Sequence, residues 1–141
     1  MNDCINIQLN GVESTTIYKN LNLGIYTAVI LDWTGAYSDP EAYLTPLLSC
    51  SDLDGEICKK GESVYSGSFW GSKRVEDLFL ESENTNGSER LAKLTEIELI
   101  ASEAIPYIPI WISSQKAWSQ NEISKPIFNG AGIISLSDLE L

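Results

Sequence analysis

Apolar and polar positions alternate over residues 5–9 (I-N-I-Q-L), the period-two pattern of a half-buried strand. Ser14 or Thr15 then caps a short helix whose apolar side carries Ile17, Tyr18 and Leu21, and Asn22 and Gly24 stop it. Residues 25–33 read I-Y-T-A-V-I-L-D-W, rich in β-branched and aromatic types and apolar on both faces. That pattern predicts a central strand covered by helices on both sides. Strand, helix, strand at the start of a chain points to an α/β domain.

Residues 34–40 form a turn region, and Asp39-Pro40-Glu41 is a helix start. Asp39 is the cap, Pro40 has the φ of a first turn, and Glu41 meets the positive end of the helix dipole. Pro46 is expected to shorten that helix. Residues 49–72 read as a long loop with Gly55, Gly61, Gly67 and Gly71 and an aromatic group, Tyr65, Phe69 and Trp70. A loop of this length in a compact domain is usually functional or pinned. Ser72 caps a helix running to about Glu83, with Val75, Leu78 and Phe79 on one face. Asn86 and Glu89 make a capping-box pair for the next helix, whose stripe is Leu91, Leu94, Ile97, Ala101 and Ala104, ended by Pro106. The I-P-Y-I-P-I-W-I run at 105–112 suits an edge strand, because its prolines cannot donate to a ladder. Short strands and turns follow over 113–141, ending in alternating Ile134, Leu136 and Leu139.

A chain of 141 residues with 43% apolar and 21% charged types is of single-domain size and can bury a core. Nine basic against twenty acidic residues leave a net charge of −11, and no basic cluster offers binding energy to nucleic acid or an anionic membrane. The chain has no histidine. That removes His-based triads, Cys–His dyads and the usual zinc motifs. No basic start followed by an apolar run opens the sequence, and A-V-I-L at 28–31 is its longest apolar run. Asp32 and Asp39 are the carboxylates to test for acid–base chemistry, since ligands sit at the carboxyl ends of strands in open α/β sheets. Asp39 is more simply explained as a helix cap. The D-L-D-G-E run at 52–56 lacks the further ligands of a calcium loop and reads as a solvated turn. No metal or cofactor is expected. Cys50 and Cys58 bracket a short polar loop that a disulfide could close in an oxidising compartment; three unrelated reduced thiols fit the spacing as well. Cys4 reads as a small buried apolar residue of the first strand.

The order of pieces is more specific than any one of them. After Trp33 comes T-G-A-Y-S-D-P-E-A-Y-L-T-P-L-L-S, then a cysteine-containing loop, a helix with V-E-D-L, a helix opening N-G-S-E-R-L and the I-P-Y-I-P-I-W run. This series resembles the C-terminal part of the family 5 extracellular solute-binding proteins, the dipeptide-, oligopeptide- and nickel-binding components of ABC importers. The resemblance implies an α/β fold of the type II periplasmic-binding-protein kind, with a mixed sheet flanked by helices, as a fragment of a two-lobed receptor. Residues 1–112 correspond to the latter part of the second lobe and 113–141 to a closing segment returning toward the first.

The resemblance also implies a function: non-catalytic binding of a peptide or other small polar solute for uptake, outside the cytoplasm, with the importer's membrane subunits as partners of the whole receptor. The ligand-binding positions it points to are Asp32, Trp33, Thr34, Gly35, Ala36 and Tyr37. In peptide-binding members the strand ending at Trp33 pairs with the peptide backbone. An aspartate three residues after the tryptophan holds the α-ammonium, and here that position is Ala36. Tyr37, Asp39 and Pro40 match the family pattern. Either the ligand lacks a free amino end, or Asp32 takes over. An oxidising compartment favours a Cys50–Cys58 disulfide, and dipeptide-binding relatives carry a cysteine pair in a similar loop. The alternative is a stand-alone remnant acting as an interaction module, whose exposed lobe face would favour a homodimer.

Overall fold

The computed structural model describes residues 8–118, 127–129 and 132–135. Its elements in chain order are α1 (Ser14–Leu21), α2 (Glu41–Leu48), β1 (Asp52–Asp54), β2 (Ile57–Lys60), α3 (Glu62–Tyr65), α4 (Lys73–Glu83) and α5 (Gly87–Ala104). The first helix ends as its sequence requires, with Gly24 at φ +62°, a left-handed value that costs glycine nothing.

The core is helical. Leu48 of α2, Val75, Leu78 and Phe79 of α4, and Leu94 and Ile97 of α5 form one buried cluster. Leu44, Leu47, Trp70, Ile100, Ala101 and Tyr107 pack around it. Three residues join α4 to α5, which sets the two helices side by side as an antiparallel pair. The apolar face expected of α4 is the buried one. On α5 the expected stripe is off register. Leu94 and Ile97 are buried and Ala101 half-buried, whereas Leu91 and Ala104 are exposed. A three-residue spacing drifts by about 60° per step around a helix of 3.6 residues per turn, so Arg90 and Lys93 take the inner edge instead. Asn86 makes no side-chain cap bond, so the expected capping box with Glu89 does not form.

Residues 49–72 are not an irregular loop. They contain an antiparallel hairpin pairing Asp54 with Ile57 and Leu53 with Cys58, then α3. Gly55 opens the hairpin turn at φ +64°, and the D-L-D-G-E run is its exposed tip. Cys50 and Cys58 are joined by a disulfide with Cα atoms 5.7 Å apart, and both are buried. The hairpin is stitched to the link between α3 and α4 by Cys58 N–H to the Phe69 carbonyl (2.8 Å) and Gly71 N–H to the Glu56 carbonyl (3.0 Å).

Two expectations are overturned here. Residues 25–33 form no strand, and neither do 105–112. A strand exists through its partners' hydrogen bonds, and among the described residues none engages the backbone of 25–36. Ile25, Val29 and Ile30 are accordingly exposed, and so are Ile108, Ile110, Trp111 and Ile112, the last fully. The described sheet is thus the two-stranded hairpin β1–β2, not a mixed sheet around a central strand. Cys4, most of the 5–9 alternation, and Leu136 and Leu139 lie outside the described residues; Ile134 forms an isolated bridge with Phe128.

Candidate functional site

The segment from Asp32 to Tyr37 runs into α2, and α2 is what holds it. Asp39 ends the turn: its Oδ1 accepts the Glu41 N–H at 2.9 Å, and its carbonyl accepts Ala42 N–H at 3.0 Å. Its cap role is compounded by Arg90 of α5, whose guanidinium reaches Asp39 Oδ2 at 2.9 Å and Oδ1 at 3.0 Å and also bonds Glu41. This two-pronged geometry matches a planar guanidinium to a carboxylate. Arg90 and the Glu41 amide hold the Asp39 carboxyl below its ordinary range. Both oxygens of Asp39 are thus engaged in contacts within the fold, and a general acid would need the opposite shift.

Pro46 does not shorten α2, which continues to Leu48 with the proline inside. A proline has no N–H, so the carbonyl of Ala42, four residues earlier, loses its helical donor. The Trp33 indole Nε1–H points to that carbonyl at 3.3 Å. Two residues on, Gly35 is buried against the Tyr43 ring; a Cβ on Gly35 would lie 2.5 Å from Tyr43 Cε2. Trp33 and Gly35 therefore both face α2. Asp32, Thr34, Ala36 and Tyr37 are exposed, and Trp33 keeps 48% of its surface accessible.

The far end of α2 is treated in the same way. The Leu47 carbonyl accepts Tyr107 Oη–H at 3.1 Å and Ser66 Oγ–H at 3.3 Å, which fixes the start of the second unpaired run, 106–112. Neither Trp33 nor Tyr107 was read from sequence as a partner of α2. The proline inside a helix was the available signal, because it leaves a carbonyl to be satisfied.

Other charged groups serve α4 and α5. Arg74 bonds Glu96 and Glu81, and Lys93 bonds Glu81, tying the two helices along their length. Glu76 accepts the Cys50 N–H at 2.6 Å while burial raises its carboxyl above the ordinary value. Surface depressions occur beside Leu80, Asn84 and Lys93 and beside Ser49, Gly61 and Glu76, away from residues 32–37. Among the described residues no group of three or more Cys, Asp or Glu side chains converges as metal ligands would. No helix among them is long and apolar enough to cross a membrane.

No family model and no solved structure matches the chain. Among curated proteins it is similar to Di/tripeptide-binding protein 4 of Pseudomonas aeruginosa (strain UCBPP-PA14), with 26% identity over 107 residues, covering 75% of this chain. The matched stretch amounts to 19% of that relative, so this chain spans about a fifth of the protein it resembles.

Proposed function

We propose that this chain is the C-terminal part of the solute-binding component of an ABC importer, holding a short peptide or another small polar solute and leaving it chemically unchanged. The observation that carries this reading is the similarity to a di/tripeptide-binding protein over three quarters of the chain. The segment 32–37 supports it: among the described residues nothing pairs with the backbone of 32–36, Trp33 is half-exposed and Tyr37 exposed, and the segment can add a peptide by strand pairing. With Asp39 committed to Arg90, the carboxylate free to meet a ligand's ammonium is Asp32, at the start of the segment. On this reading the receptor works outside the cytoplasm, delivers to the importer's membrane subunits, and uses no cofactor.

The test is an NMR titration of the 15N-labelled chain with tri-alanine. Amide shifts confined to residues 32–37 are expected at millimolar ligand, with Asp32→Asn weakening the free peptide more than its N-acetylated form. A spectrum unmoved by tri-alanine would sink the peptide-binding reading. Equal loss for the free and acetylated peptides would remove Asp32 as the ammonium partner.

A further inference from the structure

We infer that Trp33 and Pro46 form a latch that sets the position of the ligand-facing segment: the proline vacates a helix carbonyl, and the Trp33 indole N–H occupies it. This rests on the reading above only for what the latch is for; the latch itself is a matter of local geometry.

Three observations converge on it. Pro46 sits inside α2, four residues after Ala42, and supplies no N–H to the Ala42 carbonyl. Ala42 is buried, so that oxygen has little water to turn to and an unmet acceptor there would be costly. Trp33 Nε1 lies 3.3 Å from it. The indole is a donor only, which suits a carbonyl and cannot be reversed. Next to this contact, Gly35 lies on the Tyr43 ring with no room for a Cβ. Residues 33 and 35 thereby both meet α2, while Asp32 and Thr34 are exposed. The latch thus decides which side chains face solvent and a ligand. Trp33 is a positioning residue through its N–H, even though part of its ring remains accessible. Pro46 acts at one remove, by freeing the carbonyl.

Hydrogen exchange of the indole protons tests this. Trp118, 88% exposed, is the internal reference. In the 141-residue chain the Trp33 Nε1–H should exchange about 2- to 10-fold more slowly than that of Trp118, as one net hydrogen bond allows. Pro46→Ala restores a backbone donor to the Ala42 carbonyl and should bring the Trp33 rate up toward the reference. Trp33→Phe keeps a ring but no N–H. It should change the ring-current shift of the Gly35 amide over Tyr43 and weaken tri-alanine binding about 2- to 10-fold, the equivalent of that same bond. An indole proton equally slow in Pro46→Ala, or already as fast as Trp118 in the wild type, overturns the latch. So does a Gly35 resonance unmoved in Trp33→Phe. If tri-alanine fails to bind the wild type while the exchange pattern holds, the peptide reading falls and the latch stands.

Discussion

Gly61 occupies a position where a side chain has nowhere to go. Its φ is +146°, and a Cβ there would lie 2.7 Å from Cys50 Cα and 2.8 Å from the Ser49 carbonyl, both backbone atoms. Gly61→Ala should cost about 2 kcal/mol or more, combining backbone strain with displacement of the Ser49–Ser51 backbone, measurable by urea unfolding. Ile105 is the opposite case: a β-branched, exposed residue held left-handed at φ 53° to close α5, with its N–H on the Ala101 carbonyl. Ile105→Gly removes a penalty of about 1–2 kcal/mol and adds chain entropy to the unfolded state, so a net gain of up to about 1 kcal/mol is expected. Glu76 gives a pH signature. Burial raises its carboxyl above the reference of 4.5, so the folded chain binds the proton more tightly than the unfolded one. Its contribution is favourable at low pH and is lost as pH rises from 4.5 through the raised folded value. Glu76→Gln keeps an acceptor for Cys50 N–H and should flatten that fall in a pH series of urea unfolding. Asp39 has the reverse sign: held low by Arg90, it stabilises the fold above its reference value of 3.8 and loses that contribution as acid protonates it. The two groups are legible as carboxylates in sequence, but the sign of each shift is set by the fold: for Asp39 by Arg90, 51 residues away, and for Glu76 by its burial, which outweighs the Cys50 N–H.

Among elements, the disulfide hairpin and the helix pair depend on different physics. The bond between Cys50 and Cys58 closes a loop of eight residues' separation. Loop-closure entropy for that length corresponds to about 2.5 kcal/mol, so the Cys50→Ser/Cys58→Ser chain should be less stable by about that amount. Intact mass of the alkylated chain with and without prior reduction checks that the bond is present. The helix pair was readable because Val75, Leu78 and Phe79 recur at helical spacing and Ser72, Asn86 and Pro106 punctuate the boundaries. The exact inner edge of α5 was not. Its polar residues Arg90 and Lys93 reach carboxylates on α2 and α4, and a pattern of apolar letters cannot register a contact made by a guanidinium. Arg90→Ala should loosen α2 from α5 and cost about 1 kcal/mol, at the upper end for partly exposed pairs. The hairpin was missed as a strand pair because its two strands are three and four residues long and mostly polar, with glycines at the turn and after it.

At the scale of the molecule, a helical core of α2, α4 and α5 stands beside two apolar segments that carry no ladder among the described residues. Native-state hydrogen exchange should therefore show slow amides in α4 and α5 and fast ones over 25–36 and 106–118, with no intermediate protection expected of a buried strand. Protection of 25–33 comparable to that of α4 would show that the segment does pair. The apolar letters of 25–33 and 105–112 announced strands, and the announcement was incomplete: β structure is a property of pairs of segments, whereas a helix bonds to itself. For that reason the sequence alone determined the places of α1, α2, α4 and α5, the acidic charge, the absence of imidazole chemistry and the likeness to peptide-binding receptors. The tertiary structure decided which side of each helix is covered, which carboxylate is taken by Arg90, and that Trp33 turns its N–H to a carbonyl left open by Pro46. Those outcomes depend on distances between residues far apart in the chain, and a one-dimensional pattern carries no such distances.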